Sequence, residues 1–192
     1  CSRHDEALLA AGIANIALSS CGQPLPFWSR SCCSPCDLWC WGLADMRIVH
    51  VNLGPRASGV DGIRRAVHTL AEAQSARGDT VTIWDAEAIN RPSITTLAPD
   101  VVHLHSVFRP AHVRLARQLD SARIPYVASP HSGLSEGSLA RQSWRKAAWI
   151  ALFDRRLLTR ARAVLALSSV ELADVQRIAP TARVALVPNL LP

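Results

Sequence analysis

The sequence predicts an α/β fold, a doubly wound parallel sheet that begins near Met46. Three observations carry that prediction. Short β-branched runs, apolar on both faces, alternate along the chain with segments of helical periodicity. Turn and capping signals separate them, and strand–helix–strand repeated in this way puts helices on both faces of a parallel sheet. A content of 49% apolar and 19% charged residues also excludes a disordered or collagen-like chain. The 192 residues hold one full domain with an extension, whereas two ordinary α/β domains need roughly 300.

Taken in order, Met46-Arg47-Ile48-Val49-His50-Val51-Asn52 reads as the first buried strand. A glycine-bearing loop, 53–59, follows it. Val60, Ile63, Val67, Leu70 and Ala71 then recur at helical spacing, with Arg64, Arg65 and Glu72 off that stripe. Gly78 is a helix stop, and Thr80–Trp84 is the second strand. Val101–His105 is the third strand and Ala111–Leu119 a helix. Pro125–Ser129 is the fourth strand, ending in the turn Pro130-His131-Ser132-Gly133. A long basic helix is expected over Ser138–Arg162. Ala163–Leu167 is the fifth strand, and Ser168-x-x-Glu171 is a capping box that opens another helix. Arg183–Val187 is the sixth strand, stopped by Pro188. The pattern has no internal repeat.

Composition breaks at Met46, the only methionine. All six cysteines (Cys1, Cys21, Cys32, Cys33, Cys36 and Cys40) precede it. Residues 1–45 carry Arg3 and Arg30 against Asp5, Glu6, Asp37 and Asp45, a net of −2, which leaves +8 of the total +6 to residues 46–192. Ala7–Leu18 has the length of a signal-peptide apolar core, but Asp5 and Glu6 stand where a basic segment is required. Cys32, Cys33, Cys36 and Cys40 crowd into one stretch without the second, distant pair that a tetrahedral zinc site uses. Residues 1–45 are therefore expected to be an unstructured extension or an upstream mistranslation, with reduced, metal-free thiols. No metal or cofactor is expected anywhere in the chain.

In sheets of this kind, ligands bind beyond the carboxyl ends of the strands. The candidate positions are thus 52–62, Asp85, His105-Ser106, Ser129–Gly133 and Ser168. Gly54 and Gly59 have the opening spacing of a P-loop, but Val60-Asp61 replaces its lysine and hydroxyl residue, which argues against nucleotide hydrolysis. Gly54, Gly59 and Gly62 also miss the dinucleotide spacing. What remains is Ser58-Gly59-Val60 at a helix N-terminus, where backbone N–H groups and the helix dipole can face a diphosphate. The alternative is that Gly59 only relieves a tight turn.

Several segments together resemble the group-1 (family 4) glycosyltransferases. They are Met46–Val51, Ser58-Gly59-Val60, Arg77-Gly78-Asp79, Pro99–Ser106, Pro125–Gly133, Leu167–Glu171 and Val187-Pro188-Asn189, in that order. The resemblance covers Met46 to about Asn189 and implies the N-terminal, acceptor-side Rossmann-like domain of a GT-B fold. It implies transfer of a sugar, with retention, from a nucleotide-sugar donor to a glycan, lipid-linked or small-molecule acceptor. It also implies a hexosyl-type enzyme of polysaccharide or glycolipid biosynthesis. By the same resemblance, Ser58 and Gly59 lie beside the donor diphosphate and His131 near the transferred sugar. Ser132 and Gly133 follow His131 in that turn, Ser132 being an insertion relative to the family's Pro-His-Gly. His105 faces the same cleft unless it is a histidine tied to backbone at a strand end. The family's second, donor-binding domain carries a pair of glutamates. After Arg162 this chain has only Glu171, so the donor domain is expected to be absent and the chain inactive alone.

Trp144, Trp149, Leu152, Phe153 and Leu157 interleave with arginines over 138–162. Such a segment is read first as a core-packed helix with a solvated arginine face, with contact to an anionic membrane surface as the alternative reading. The expected setting is the cytoplasm, with a peripheral position at the inner face of the plasma membrane as the alternative. Nucleic acid is not an expected partner, because no aromatic platform or recognition motif accompanies the arginines. The rival class is a non-catalytic Rossmann-like binding module.

Overall fold

Each β-branched run from Met46 onward pairs as a parallel strand. The computed structural model describes residues 46–53, 62–85, 93–141 and 143–188. Arg47–Asn52 (β1), Thr80–Asp85 (β2), Val101–His105 (β3), Tyr126–Ser129 (β4), Ala163–Ala166 (β5) and Val184–Leu186 (β6) form one sheet in the order β2-β1-β3-β4-β5-β6. All five pairings are parallel. The strand order reverses between β1 and β3, so the carboxyl ends of those two strands mark the topological switch point. The expected doubly wound sheet is present. The cysteine-rich segment 1–45, Ser58, Gly59 and Asn189 lie outside the described residues.

Among the described residues the helices are Gly62–Ala76 (α1), Ile94–Leu97 (α2), Pro110–Ala122 (α3), Glu136–Ala140 (α4), Ser143–Trp149 (α5), Arg155–Arg160 (α6) and Ser169–Ile178 (α7). Gly78 closes α1 with φ 103°, a value that residues with a Cβ avoid. Pro110 opens α3, where its missing N–H has no partner to lose. Ser168 caps α7, its Oγ accepting from the Glu171 N–H at 3.1 Å.

The single long helix expected over Ser138–Arg162 is instead three helices and a π-helical turn. Ser135 caps α4, which also contains Gly137, a weak helix former, and Arg141 is extended at φ −78°, ψ 120°. A π turn at Ile150–Asp154 then links α5 to α6. That turn places the buried Asp154 carboxylate where it accepts from the Phe108 N–H at 3.0 Å. Phe108 has a left-handed backbone (φ 59°), so a side chain from a distant helix satisfies a strained loop.

The two sheet faces differ in chemistry. On one, Val49, Val51, Val102, Leu104, Tyr126, Ala128 and Val164 join Val113, Leu119, Leu158 and Val175 in the main apolar cluster. Burying a leucine such as Leu119 contributes about 1.5–3 kcal/mol. On the other face, Ile48, Val101, Val127, Ala163 and Leu165 make a smaller cluster, with Leu70 of α1 packed against it. Side chains alternate with period two. The same face therefore continues, toward the carboxyl ends, as His50 on β1, His103 and His105 on β3, and Ser129 on β4. Aliphatic residues floor this face and imidazoles form its upper tier.

Two segments quoted for the family resemblance serve the opposite end of the sheet. The Asp79 carboxylate accepts from the Met46 N–H at 3.2 Å and pairs with Arg77. The Asp100 carboxylate accepts from the Arg47 N–H at 2.8 Å. Both carboxylates satisfy donors where β1 begins, far along the strand from the switch point.

Candidate functional site

At the switch point, the imidazole tier extends from the sheet interior to the rim. His50 pairs in register with His103 across β1 and β3. His50 Nδ1 lies 3.0 Å from His105 Nε2, and His105 Nδ1 lies 3.0 Å from His131 Nε2. Behind His50, its Nε2 lies 2.7 Å from Oε1 of Gln74, a fully buried residue of α1. His103 Nε2 meets the Ser129 Oγ at 2.8 Å, and its ring lies against that of His105 with centroids 3.9 Å apart. Gln74, His50, His105 and His131 thus form one hydrogen-bonded row running outward from α1.

Burial fixes the charge of the interior imidazoles. It lowers the His50 pKa to about 4, with the Gln74 hydrogen bond opposing the shift. His103 and His105 are held well below the usual imidazole range, first by burial and then by their neighbouring imidazoles. His112 of α3 is lowered to about 4 by burial, although its Nδ1–H donates to the Ser106 carbonyl at 3.2 Å. At neutral pH these rings are neutral. Each neutral ring holds one donor and one acceptor nitrogen, so it can orient the next.

His131 ends the row on the turn after β4, half-buried, with Ser132 exposed beside it. Both residues have left-handed backbones, φ 52° and 59°. Ser106 (φ 78°) and Phe108 (φ 59°), on the loop after β3, are left-handed as well. Such strain collects where a fold must aim particular groups. The buried Glu171 of α7 holds the turn: its Oε1 accepts from the Ser132 N–H and its Oε2 from the Leu167 N–H, both at 2.7 Å. Glu171, in the first turn of α7, therefore ties the loops after β4 and β5 together. Gly133 has no room for a side chain, because a Cβ there would stand 2.5 Å from Val107 Cγ2 and 3.0 Å from the Pro130 carbonyl.

The structure brings His105, His131, Ser132 and Gly133 to one end of the sheet, as a shared site requires. His105 is bonded to two imidazoles, not to backbone as the alternative reading had it. His50, His103, Gln74 and the bridging role of Glu171 were missed from the sequence. Two signals were available: His103 and His105 share a strand face at spacing two, and Gln74 continues the Val67–Ala71 stripe of α1 as a polar residue in an apolar position. Chemically, the row presents one oriented imidazole at the rim, suited to hydrogen-bonding a hydroxyl-rich ligand.

A comparison with curated proteins finds no match to the chain. A family model, the glycosyl transferase 4-like domain, matches residues 86–190 and so spans β3 to β6 with His103, His105, His131 and Glu171. That match covers more than half of the chain and falls within the parallel sheet, and the chain belongs to the glycosyl transferase 4-like family.

Proposed function

We propose that this unit is the N-terminal, acceptor-side half of a retaining GT-B transferase. In this reading a sugar, of hexosyl type, passes from a nucleotide-sugar donor to a glycan, lipid-linked or small-molecule acceptor. The observation that carries the reading is the His131 turn: a half-buried imidazole beyond the carboxyl end of β4, beside the switch point of a glycosyl transferase 4-like domain, oriented from behind by His105 and clamped through Ser132 by Glu171. His131 orients a sugar hydroxyl, Ser132 and His105 line and support the acceptor side, and Gly133 keeps the turn close to Val107. Ser58 and Gly59, outside the described residues, are the residues assigned here to the donor diphosphate. A second, nucleotide-binding unit supplies the stabilisation of the leaving diphosphate, usually the largest electrostatic contribution to such catalysis.

The setting proposed is the cytoplasm, at the inner face of the plasma membrane, in polysaccharide or glycolipid assembly. Exposed Trp144 and Leu152, set among the exposed Arg145, Arg155 and Arg156, support peripheral contact with anionic lipid. Among the described residues no helix is long and apolar enough to cross a membrane.

The test is to incubate the purified chain with radiolabelled nucleotide-sugars and glycan or lipid-linked acceptors. Histidine side-chain NMR is recorded alongside. Acceptors are expected to perturb the His131 resonances, with no sugar transferred by this chain alone. Robust transfer without a second unit contradicts the assignment to an acceptor-side half. Absence of any acceptor binding favours the non-catalytic Rossmann-like module.

A further inference from the structure

We propose that His50, His103 and His105 form a binding site for a borderline divalent cation of the Zn²⁺ type. The site lies inside the fold, behind the His131 turn, and its occupancy does not depend on the transfer reaction.

Three observations carry it. Each of the three buried rings offers a nitrogen, and these atoms lie within 4.8 Å of one another. Three imidazoles are a donor set that suits zinc, cobalt and nickel, and a three-histidine shell leaves one position open for water or another ligand. Each ring also already has an outer partner on one nitrogen. His50 Nε2 meets Gln74 Oε1 at 2.7 Å, His103 Nε2 meets Ser129 Oγ at 2.8 Å, and His105 Nδ1 meets His131 Nε2 at 3.0 Å. Outer-shell bonding of this kind orients a metal-bound histidine and fixes which nitrogen keeps its lone pair.

The remaining nitrogens are then accounted for. His50 Nδ1 and His105 Nε2 face each other at 3.0 Å, where one ring's N–H donates to the other. His103 Nδ1 is buried without a hydrogen-bond partner among the described residues. A buried polar atom left unpaired costs about 1–3 kcal/mol, and ligation relieves that. Tetrahedral bonds of about 2.0–2.1 Å to two imidazoles set their nitrogens only slightly farther apart than 3.0 Å. A cation therefore replaces the shared proton with a small opening of the pair. When it binds, both facing nitrogens ligate. His50 keeps donating through Nε2–H to Gln74 Oε1. The proton displaced from His105 Nε2 is carried on His105 Nδ1, which donates to His131 Nε2, and His131 holds its own proton on Nδ1 instead, so no proton is gained or lost. Metal load in the interior thereby fixes the hydrogen-bond direction that reaches the rim.

The test uses the full chain with its thiols alkylated, because the six cysteines would bind zinc on their own. Zn²⁺ affinity is measured by competition with a chromophoric chelator, and the zinc shell by X-ray absorption. One equivalent bound per chain, in a shell containing three imidazole nitrogens at about 2.0 Å, is the expected result. Gln74→Leu, which removes only an outer partner, is expected to weaken binding by about tenfold or more. His103→Gln is expected to weaken it further. Failure of the alkylated wild type to hold zinc against the chelator, or a shell of fewer than three imidazoles, overturns the proposal. Because the absorption measurement needs no substitution, misfolding of a variant does not rescue it.

Discussion

Glu171 and His131 show how single side chains aim this site. The Glu171 carboxylate satisfies two backbone N–H groups from separate loops, those of Ser132 and Leu167. Glu171→Ala leaves both donors without that acceptor and should lower unfolding stability by about 2–4 kcal/mol, read from urea denaturation. Glu171→Gln keeps one acceptor oxygen and should lose less. Equal losses in the two variants would mean that the side chain acts by packing alone. Gly133→Ala tests the same turn from the other side. Val107 is buried and β-branched, so the added methyl must displace either it or the Pro130 carbonyl. A fall in thermal midpoint of several degrees is expected, and an unchanged midpoint would refute the close approach. At this scale the sequence revealed residues next to strand ends, His105 and His131. It hid His50 and Gln74, because their meeting depends on β1 pairing with β3 and on which face α1 covers. Neither is a local property of the chain.

At the scale of elements, the strands and most helices were legible, since period-two and helical spacing report burial directly. The stretch after β4 was not. Its arginine-rich pattern continues across Arg141, but the backbone turns extended there, and the π turn at Ile150–Asp154 answers to a distant loop. Asp154 makes that dependence measurable. Burial raises its pKa to about 6, with the Phe108 N–H opposing the shift. A carboxyl with a raised folded pKa stabilises most when protonated, and that contribution fades as pH rises from about 3.8 through about 6. Asp154→Asn keeps an oxygen for Phe108 and never ionises. It should raise stability at neutral pH by about 1–3 kcal/mol, an advantage that vanishes near pH 4. A neutral-pH loss in that variant would show that the charge itself is required.

For the whole molecule, the imidazole face of the sheet sets how stability depends on pH. His50 and His112 are lowered to about 4, and His103 and His105 are lowered as well. Between about pH 6.5 and about pH 4 the unfolded chain takes up protons that these rings refuse. Stability is therefore full above the unfolded value and is lost as the medium is acidified, by up to about 1.4 kcal/mol per pH unit for each ring. Asp154 works in the opposite direction, but it is one group against four. Urea midpoints at about pH 7.5 and about pH 5 should differ clearly, the lower pH being the weaker; a flat profile would contradict neutral burial. The imidazole tier that makes the fold acid-sensitive also supports His131 at the rim. That dual use is the central claim, and one measurement tests it most directly: kcat for sugar transfer by the unit assembled with the second, nucleotide-binding unit proposed above, wild type against His131→Ala. A fall of about 10²-fold or more in a variant that remains folded is predicted, the usual size of a positioned imidazole's contribution. An unchanged kcat in the folded variant would contradict it.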